Sequence, residues 1–403
     1  MTRVLHLLNY AGQGGTEQYI RTLLQAMEGQ EVQAELACNE AGPLAQWAEA
    51  CGLPVHSLAM ASPFDRGAVK ALAALCRDRK IDVIHTHYLR ENYIALQAKG
   101  KVPDLRVVYT YHILTQNSLA QRVCNRLLSR RQDAVVANCT AGARQLVANG
   151  IPQGQIHLIY NAVDPTQWQD PATTLRQEIG AEAGDFVLLF AARLVEGKGH
   201  AFLLESLAQL RENTAHPFRL VLAGEGPLRQ DLESQTQALG LADRVTFLGF
   251  RSDMSNLYHG ADLTLCPSES ETLSLLLLES LACGTPVLAT RVGGIPDIVT
   301  PAHDVGCLVD YGDRAGLAAA LETVMADPAQ LARWGPTGPG WWRRPCPWPP
   351  RGPGCWPCTR GGMTHDGIDS NQCHLLRPGP GLGCAGRRLA VQRALPGPHG
   401  VFR

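Results

Sequence analysis

Phe186-Val187-Leu188-Leu189-Phe190-Ala191-Ala192-Arg193-Leu194-Val195-Glu196-Gly197-Lys198-Gly199 decides the fold. Seven apolar residues run without a break, then two cations and two glycines fill a short loop, and a helical pattern follows. A continuous apolar run of that length, closed by a glycine turn, is a strand buried on both faces, as in a parallel sheet. The same grammar opens the chain. Val4-Leu5-His6-Leu7-Leu8 leads into Gly12-Gln13-Gly14-Gly15-Thr16-Glu17, and a helix over 16–27 follows with Ile20, Leu23, Leu24 and Met27 on one face. Two such starts predict two strand–helix alternating units in tandem.

Working outward, strands are expected at 3–8, 34–38, 83–87, 107–111, 134–138 and 156–160, then at 186–192, 219–223, 245–248, 263–266, 287–290 and 307–309. Helical patterns fall between them. The fold class is therefore α/β: two Rossmann-like, doubly wound parallel-sheet domains. Pro165, Pro171 and a polar stretch place the link, giving domains 1–165 and 166–334. Each unit binds ligands at the carboxyl ends of its strands, so two units facing each other create a cleft.

The chain has 403 residues, 45% of them apolar, and a net charge of −1. That balance gives no reason to expect nucleic acid as a partner. The first apolar run is too short for a secretory h-region, and no stretch reaches about 18 uncharged apolar residues. A cytoplasmic protein is expected, its eight cysteines within 1–334 reduced and mostly packed in the core. Residues 335–403 differ in kind. They hold 12 Pro and 14 Gly in 69 residues, nine Arg and no Lys, with no helical or strand period. Out-of-frame translation of GC-rich DNA from about residue 335 gives this composition; a natural disordered tail is the alternative. Cys355-Trp356-Pro357-Cys358 is half of a zinc-like spacing in a setting that does not support one.

Four segments carry chemistry. The loop with Gly14 and Gly15 opens a helix, where free N–H groups suit an anion; an ordinary turn is the plain alternative. Arg193 and Lys198, five residues apart across a turn, can reach one diphosphate or can simply be solvated charges. Ser268-Glu269-Ser270-Glu271-Thr272-Leu273-Ser274 leads into an apolar helix containing Glu279. Eight helical residues rise about 12 Å, comparable to the span from the sugar to the ribose of a sugar nucleotide. Glu271 and Glu279 could each accept from paired hydroxyls, with the Leu273 and Ser274 amides facing the phosphates. The alternative is a capping acid and a surface acid, but a Glu beside Leu275-Leu276-Leu277-Leu278 requires a polar partner. The fourth is His112, at a strand end after Tyr109-Thr110-Tyr111. His85 and His87 share a strand face, yet no third ligand is apparent, so no metal site is expected.

In order along the chain, these pieces resemble glycosyltransferase family 4, the retaining transferases of GT-B fold. The resemblance rests on Gly14-Gly15-Thr16-Glu17, Thr110-x-His112, Tyr160-Asn161-Ala162-Val163-Asp164, the 193–198 loop and Gly224-Glu225-Gly226-Pro227. It continues through Phe247-Leu248-Gly249-Phe250, the Glu271–x7–Glu279 pair and Gly293-Gly294-Ile295-Pro296-Asp297. It implies that Gly15, Arg193 and Lys198 contact a diphosphate, Glu279 the ribose, Glu271 the hexose with His112 beside it, and the backbone near Arg251 the base. The implied reaction is front-face transfer of a hexose from a UDP- or GDP-linked donor to a glycan or lipid-linked acceptor, as in bacterial surface-polysaccharide synthesis. No cofactor is implied, and the absence of any Asp-x-Asp agrees with metal independence. The chain departs from the family at Thr272-Leu273-Ser274, where Gly-Phe-Gly is common, which leaves the donor sugar open. The family's last helix braces the first domain, and an out-of-frame tail would remove that brace. A GT-B epimerase and a non-catalytic nucleotide-sugar binder are the alternatives. Segment 119–131, with four arginines and Leu119, Val123 and Leu127, is either a solvated helix or a contact with an anionic membrane.

Overall fold

The computed structural model describes residues 1–12 and 14–335; the tail discussed above, from 336 on, lies outside them. The first sheet contains β1 (Thr2–Tyr10), β2 (Val32–Glu40), β3 (Val55–Ser57), β4 (Val83–Thr86), β5 (Arg106–Tyr111), β6 (Ala134–Ala137) and β7 (Ile156–Leu158). Their order is β3-β2-β1-β4-β5-β6-β7. The second contains β8 (Phe186–Ala191), β9 (Phe218–Ala223), β10 (Val245–Gly249), β11 (Leu263–Cys266), β12 (Val287–Thr290) and β13 (Gly306–Val309), in the order β10-β9-β8-β11-β12-β13. Every pairing is parallel. Helices cover both faces, so the inner strands β4, β6, β11 and β12 are buried along their whole length.

Twelve strands fall where the apolar runs put them. The thirteenth, β3, is a three-residue edge strand after Pro54, partly exposed; it has no apolar run to announce it. The expected helix over 16–27 is Gly15–Met27, with Ile20, Leu24 and Met27 buried and Leu23 packed at the margin. Among the eight cysteines, Cys38, Cys76, Cys139 and Cys266 are buried, Cys51 is exposed, Cys124, Cys283 and Cys307 lie between, and all eight are unbridged.

In each sheet the chain winds outward from a central pair, β1/β4 in the first and β8/β11 in the second. Loops leaving such a pair diverge to opposite faces and open a crevice at the strands' carboxyl ends. The loops after β1, β8 and β11 are the three that carry Gly15, Lys198 and Glu271.

The two units meet at specific contacts. Asp297 accepts from both the backbone N–H and the hydroxyl of Thr140, each at 2.7 Å. The Thr272 hydroxyl donates to the His112 carbonyl at 3.1 Å. Cys139 packs among Leu273, Leu277 and Ile295. A side chain at Gly294 would stand 2.3 Å from the Cys139 Cβ, so that position must be glycine for the units to approach.

Candidate active site

The loops after β8 and β11 are joined. Glu269 N donates to the Gly197 carbonyl at 2.9 Å. Gly199 has φ +82 and would drive a Cβ to 1.9 Å from the Pro267 carbonyl oxygen. Gly197, at φ +77, supplies the other left-handed turn. The result places Lys198 Nζ 2.6 Å from Glu271 Oε1, which also accepts from the Ser268 hydroxyl at 3.0 Å. Gly293, at φ +53, lies against the other side of the acid: a Cβ there would be 1.6 Å from the Glu271 carbonyl oxygen.

The helix after this loop is Leu275–Ala282, with Ser274 as its N-cap. Glu271 therefore lies in the loop and only the last part of the interval to Glu279 is helical. The expected 12 Å rise is corrected accordingly; residues 271–274 precede the helix, and Ser268 and Lys198 hold the Glu271 side chain outside it. Leu273 and Ser274 are buried at the helix start, where backbone N–H groups have no intrahelical acceptor. Glu279 has the polar partner its apolar surroundings require: the Tyr258 hydroxyl donates to Oε2 at 2.8 Å. Burial raises its pKa to about 7, against the lowering effect of that bond.

Gly14 precedes and Gly15 begins the first helix of the chain. A Cβ at Gly15 would meet nothing within 4 Å, so the space before it is open. The pKa of Glu17, in the first turn of that helix, is raised by burial, against the lowering effects of its own backbone bond and the Arg193 charge. Arg193 is thus near the first unit's glycine loop although it leaves β8 of the second. Arg251 is committed elsewhere: its guanidinium binds Glu178 Oε2 at 2.7 Å and Asp253 Oδ2 at 2.5 Å. Those bonds, to Asp253 first, raise its pKa and hold its side chain in place, leaving its backbone for any other role.

His112 directly follows β5, beside an imidazole cluster that sequence spacing revealed only in part. The reading that His85 and His87 lack a third ligand-type neighbour is corrected: His6 on β1 is in register with His85 on β4, and ring nitrogens of His6, His85 and His87 lie within 4.8 Å of one another. Strand pairing, which no local period encodes, puts it there. His6 Nδ1 lies 3.2 Å from His87 Nε2, and His87 Nδ1 lies 3.2 Å from His112 Nε2. His85 Nε2 lies 2.7 Å from the Thr110 hydroxyl. Burial lowers His85 to about 4; burial first, then repulsion from His85, lowers His112 to about 3 and His6 well below its usual value. His87 is likewise depressed by burial and by its three imidazole neighbours. Tyr19 packs edge-on to His112 at 5.0 Å.

Residues 13–167 match the family described as Glycosyltransferase Family 4, and residues 171–341 match Glycosyl transferases group 1. The chain belongs to the family 4-like glycosyltransferases. The glycosyltransferase is 28% identical over 272 residues to N-acetyl-alpha-D-glucosaminyl L-malate synthase of Bacillus anthracis, covering 65% of this chain and 70% of that one. It is 31% identical over 283 residues to D-inositol 3-phosphate glycosyltransferase of Thermobispora bispora, covering 64% and 66%. Its fold is similar to HepE of Anabaena, solved in complex with UDP, at TM-score 0.72 and 24% identity over 82% of this chain and 92% of that one. These likenesses make the protein a transferase enzyme of GT-B architecture. Among the described residues, no helix is long and apolar enough to cross a membrane.

Proposed function

We propose that the glycosyltransferase moves a hexose, with retention, from a UDP- or GDP-linked donor to a hydroxyl of a glycan or lipid-linked acceptor. The observation that carries this is the Lys198–Glu271 pair at 2.6 Å, set on the loops that leave the central strands β8 and β11. One member is a cation suited to the departing diphosphate and the other an acceptor suited to sugar hydroxyls. Arg193, Lys198 and the Gly14–Gly15 backbone receive the charge that develops as the anomeric carbon–oxygen bond breaks. The bond's electron pair stays on the phosphate oxygen. The acceptor oxygen bonds to the same face of the anomeric carbon, and its proton passes to that phosphate oxygen. No step calls on a metal or cofactor.

In this reading Glu279 accepts from the ribose, Glu271 holds the hexose beside His112, the Leu273 and Ser274 amides face the phosphates, and backbone near Arg251 meets the base. The first unit, 1–165, takes the acceptor and the second, 166–334, the donor. HepE's complex with UDP supports a nucleotide donor. The protein works in the cytoplasm, in surface-polysaccharide assembly, and meets the membrane through the helix Leu119–Leu128. That contact is supported by Leu119, Val123 and Leu127, which are 78%, 51% and 63% exposed four residues apart along one stripe, with Arg122, Arg126, Arg130 and Arg131 nearby.

The test is a panel of UDP- and GDP-sugars assayed for donor hydrolysis, with product masses compared with and without acceptor. Nucleoside diphosphate released from one donor supports transfer. An isomerised sugar nucleotide without added acceptor makes it an epimerase, and binding without turnover makes it a binding protein.

A further inference from the structure

The imidazole cluster has an arithmetic of its own. His6, His87 and His112 form a chain with two links, each a nitrogen pair at 3.2 Å. The ends of the chain are His6 Nε2, which is buried and has no partner, and His112 Nδ1. Burial keeps the rings neutral near neutral pH, so three rings carry three N–H hydrogens. Each link uses one. The third must sit at one end or the other, and its position fixes all three tautomers together.

The two ends are unequal. His6 is 0% exposed and its Nε2 has no oxygen or nitrogen to receive a hydrogen. A buried N–H without an acceptor is a rarer defect than an under-used acceptor. His112 is partly exposed at the junction of the two units, where its own carbonyl accepts from Thr272. The hydrogen therefore belongs at the outer end. His6 Nδ1–H donates to His87 Nε2, and His87 Nδ1–H donates to His112 Nε2. His85 stands outside the chain, its Nε2 engaged by Thr110.

We propose that His87, backed by His6, is a positioning residue that locks His112 as the neutral Nδ1–H tautomer, presenting a hydrogen-bond donor to an oxygen of the bound sugar nucleotide. Free histidine in water prefers the other tautomer, so the locked form is a signature that exposure alone does not produce. The kinetic part of the proposal rests on the transferase reading; the tautomer part does not.

The experiment is long-range proton–nitrogen NMR on the full chain labelled with nitrogen-15 histidine at neutral pH, with His112→Gln used for assignment. His112 is expected to show a protonated Nδ1 and a bare Nε2. His87→Leu should return it to the Nε2–H form and lower kcat about tenfold, with donor KM changed less than about threefold. His87→Asn, whose amide stands near the lost Nδ1, should restore the Nδ1–H form and most of kcat. An Nε2–H, mixed or charged His112 in the wild type overturns the proposal, and this spectrum decides even if His87→Leu fails to fold. So does stoichiometric zinc that is bound by the wild type and lost in His6→Leu, because the rings are then metal ligands. A wild-type Nδ1–H signature in a protein that turns over no sugar nucleotide would leave the lock standing and sink the transferase reading alone.

Discussion

Lys198 Nζ and Glu271 Oε1 stand 2.6 Å apart, joining residues 73 positions distant on loops that leave adjacent central strands. The side chains are 27% and 15% exposed, so the pair is shielded enough for each charge to depend on the other. A sugar nucleotide entering between them must exchange this ion pair for contacts of its own.

Lys198→Ala and Glu271→Ala should each lower kcat/KM at least about tenfold, the scale of one charge-assisted contact at a developing charge. Because each leaves the other unpaired, the double variant should lose less than the sum of the two losses. Steady-state kinetics on the four proteins measure this. Full additivity would show that the two residues act independently.

Glu279 gives a pH signature. Its folded pKa of about 7 lies above the ordinary 4.5, so the empty protein holds a proton there that the unfolded chain has released. Its contribution to stability is full below about 4.5 and is lost as pH rises through about 7. Ribose hydroxyls donating to the carboxylate favour the ionised form. Nucleotide affinity should therefore climb between pH 5.5 and about 7 and then level, with a proton released on binding at the lower pH. Calorimetry in buffers of different ionisation enthalpy reads that proton directly; a flat affinity profile in wild type and Glu279→Gln alike removes the assignment.

Two glycines should behave oppositely. Gly293→Ala puts a Cβ against the Glu271 carbonyl oxygen at a φ of +53, so it should cost about 1–3 kcal/mol and displace Glu271. Gly15→Ala meets nothing in the empty protein. It should melt normally and yet bind UDP or GDP at least about tenfold more weakly, since its methyl occupies the space before the helix N-terminus. Thermal melts and titration calorimetry on the pair separate the two; a Gly15→Ala variant with unaltered affinity would remove the glycine loop from the donor site.

The exposed stripe on Leu119–Leu128 should carry the protein to anionic vesicles. Flotation with phosphatidylglycerol vesicles is expected to fall by more than half when Leu119, Val123 and Leu127 are all changed to Ser, and in high salt as the arginines are screened. No flotation of the wild type leaves that helix as a solvated face.

The sequence by itself determined the two-unit plan and all the described strands but β3. Strands inside a parallel sheet are covered on both faces, so β8 is readable as a continuous apolar run, and glycines mark where backbone must turn or approach closely. Glu279 among leucines likewise announced a buried acceptor. Tertiary structure alone decided the pairs: Glu279 with Tyr258, Thr140 with Asp297, and His6 with His87. Those partners lie 21, 157 and 81 residues apart. Periodicity reports whether one residue faces a core, not which distant residue shares its register. The edge strand β3 escaped for the same reason, since its neighbours impose it and its own residues do not.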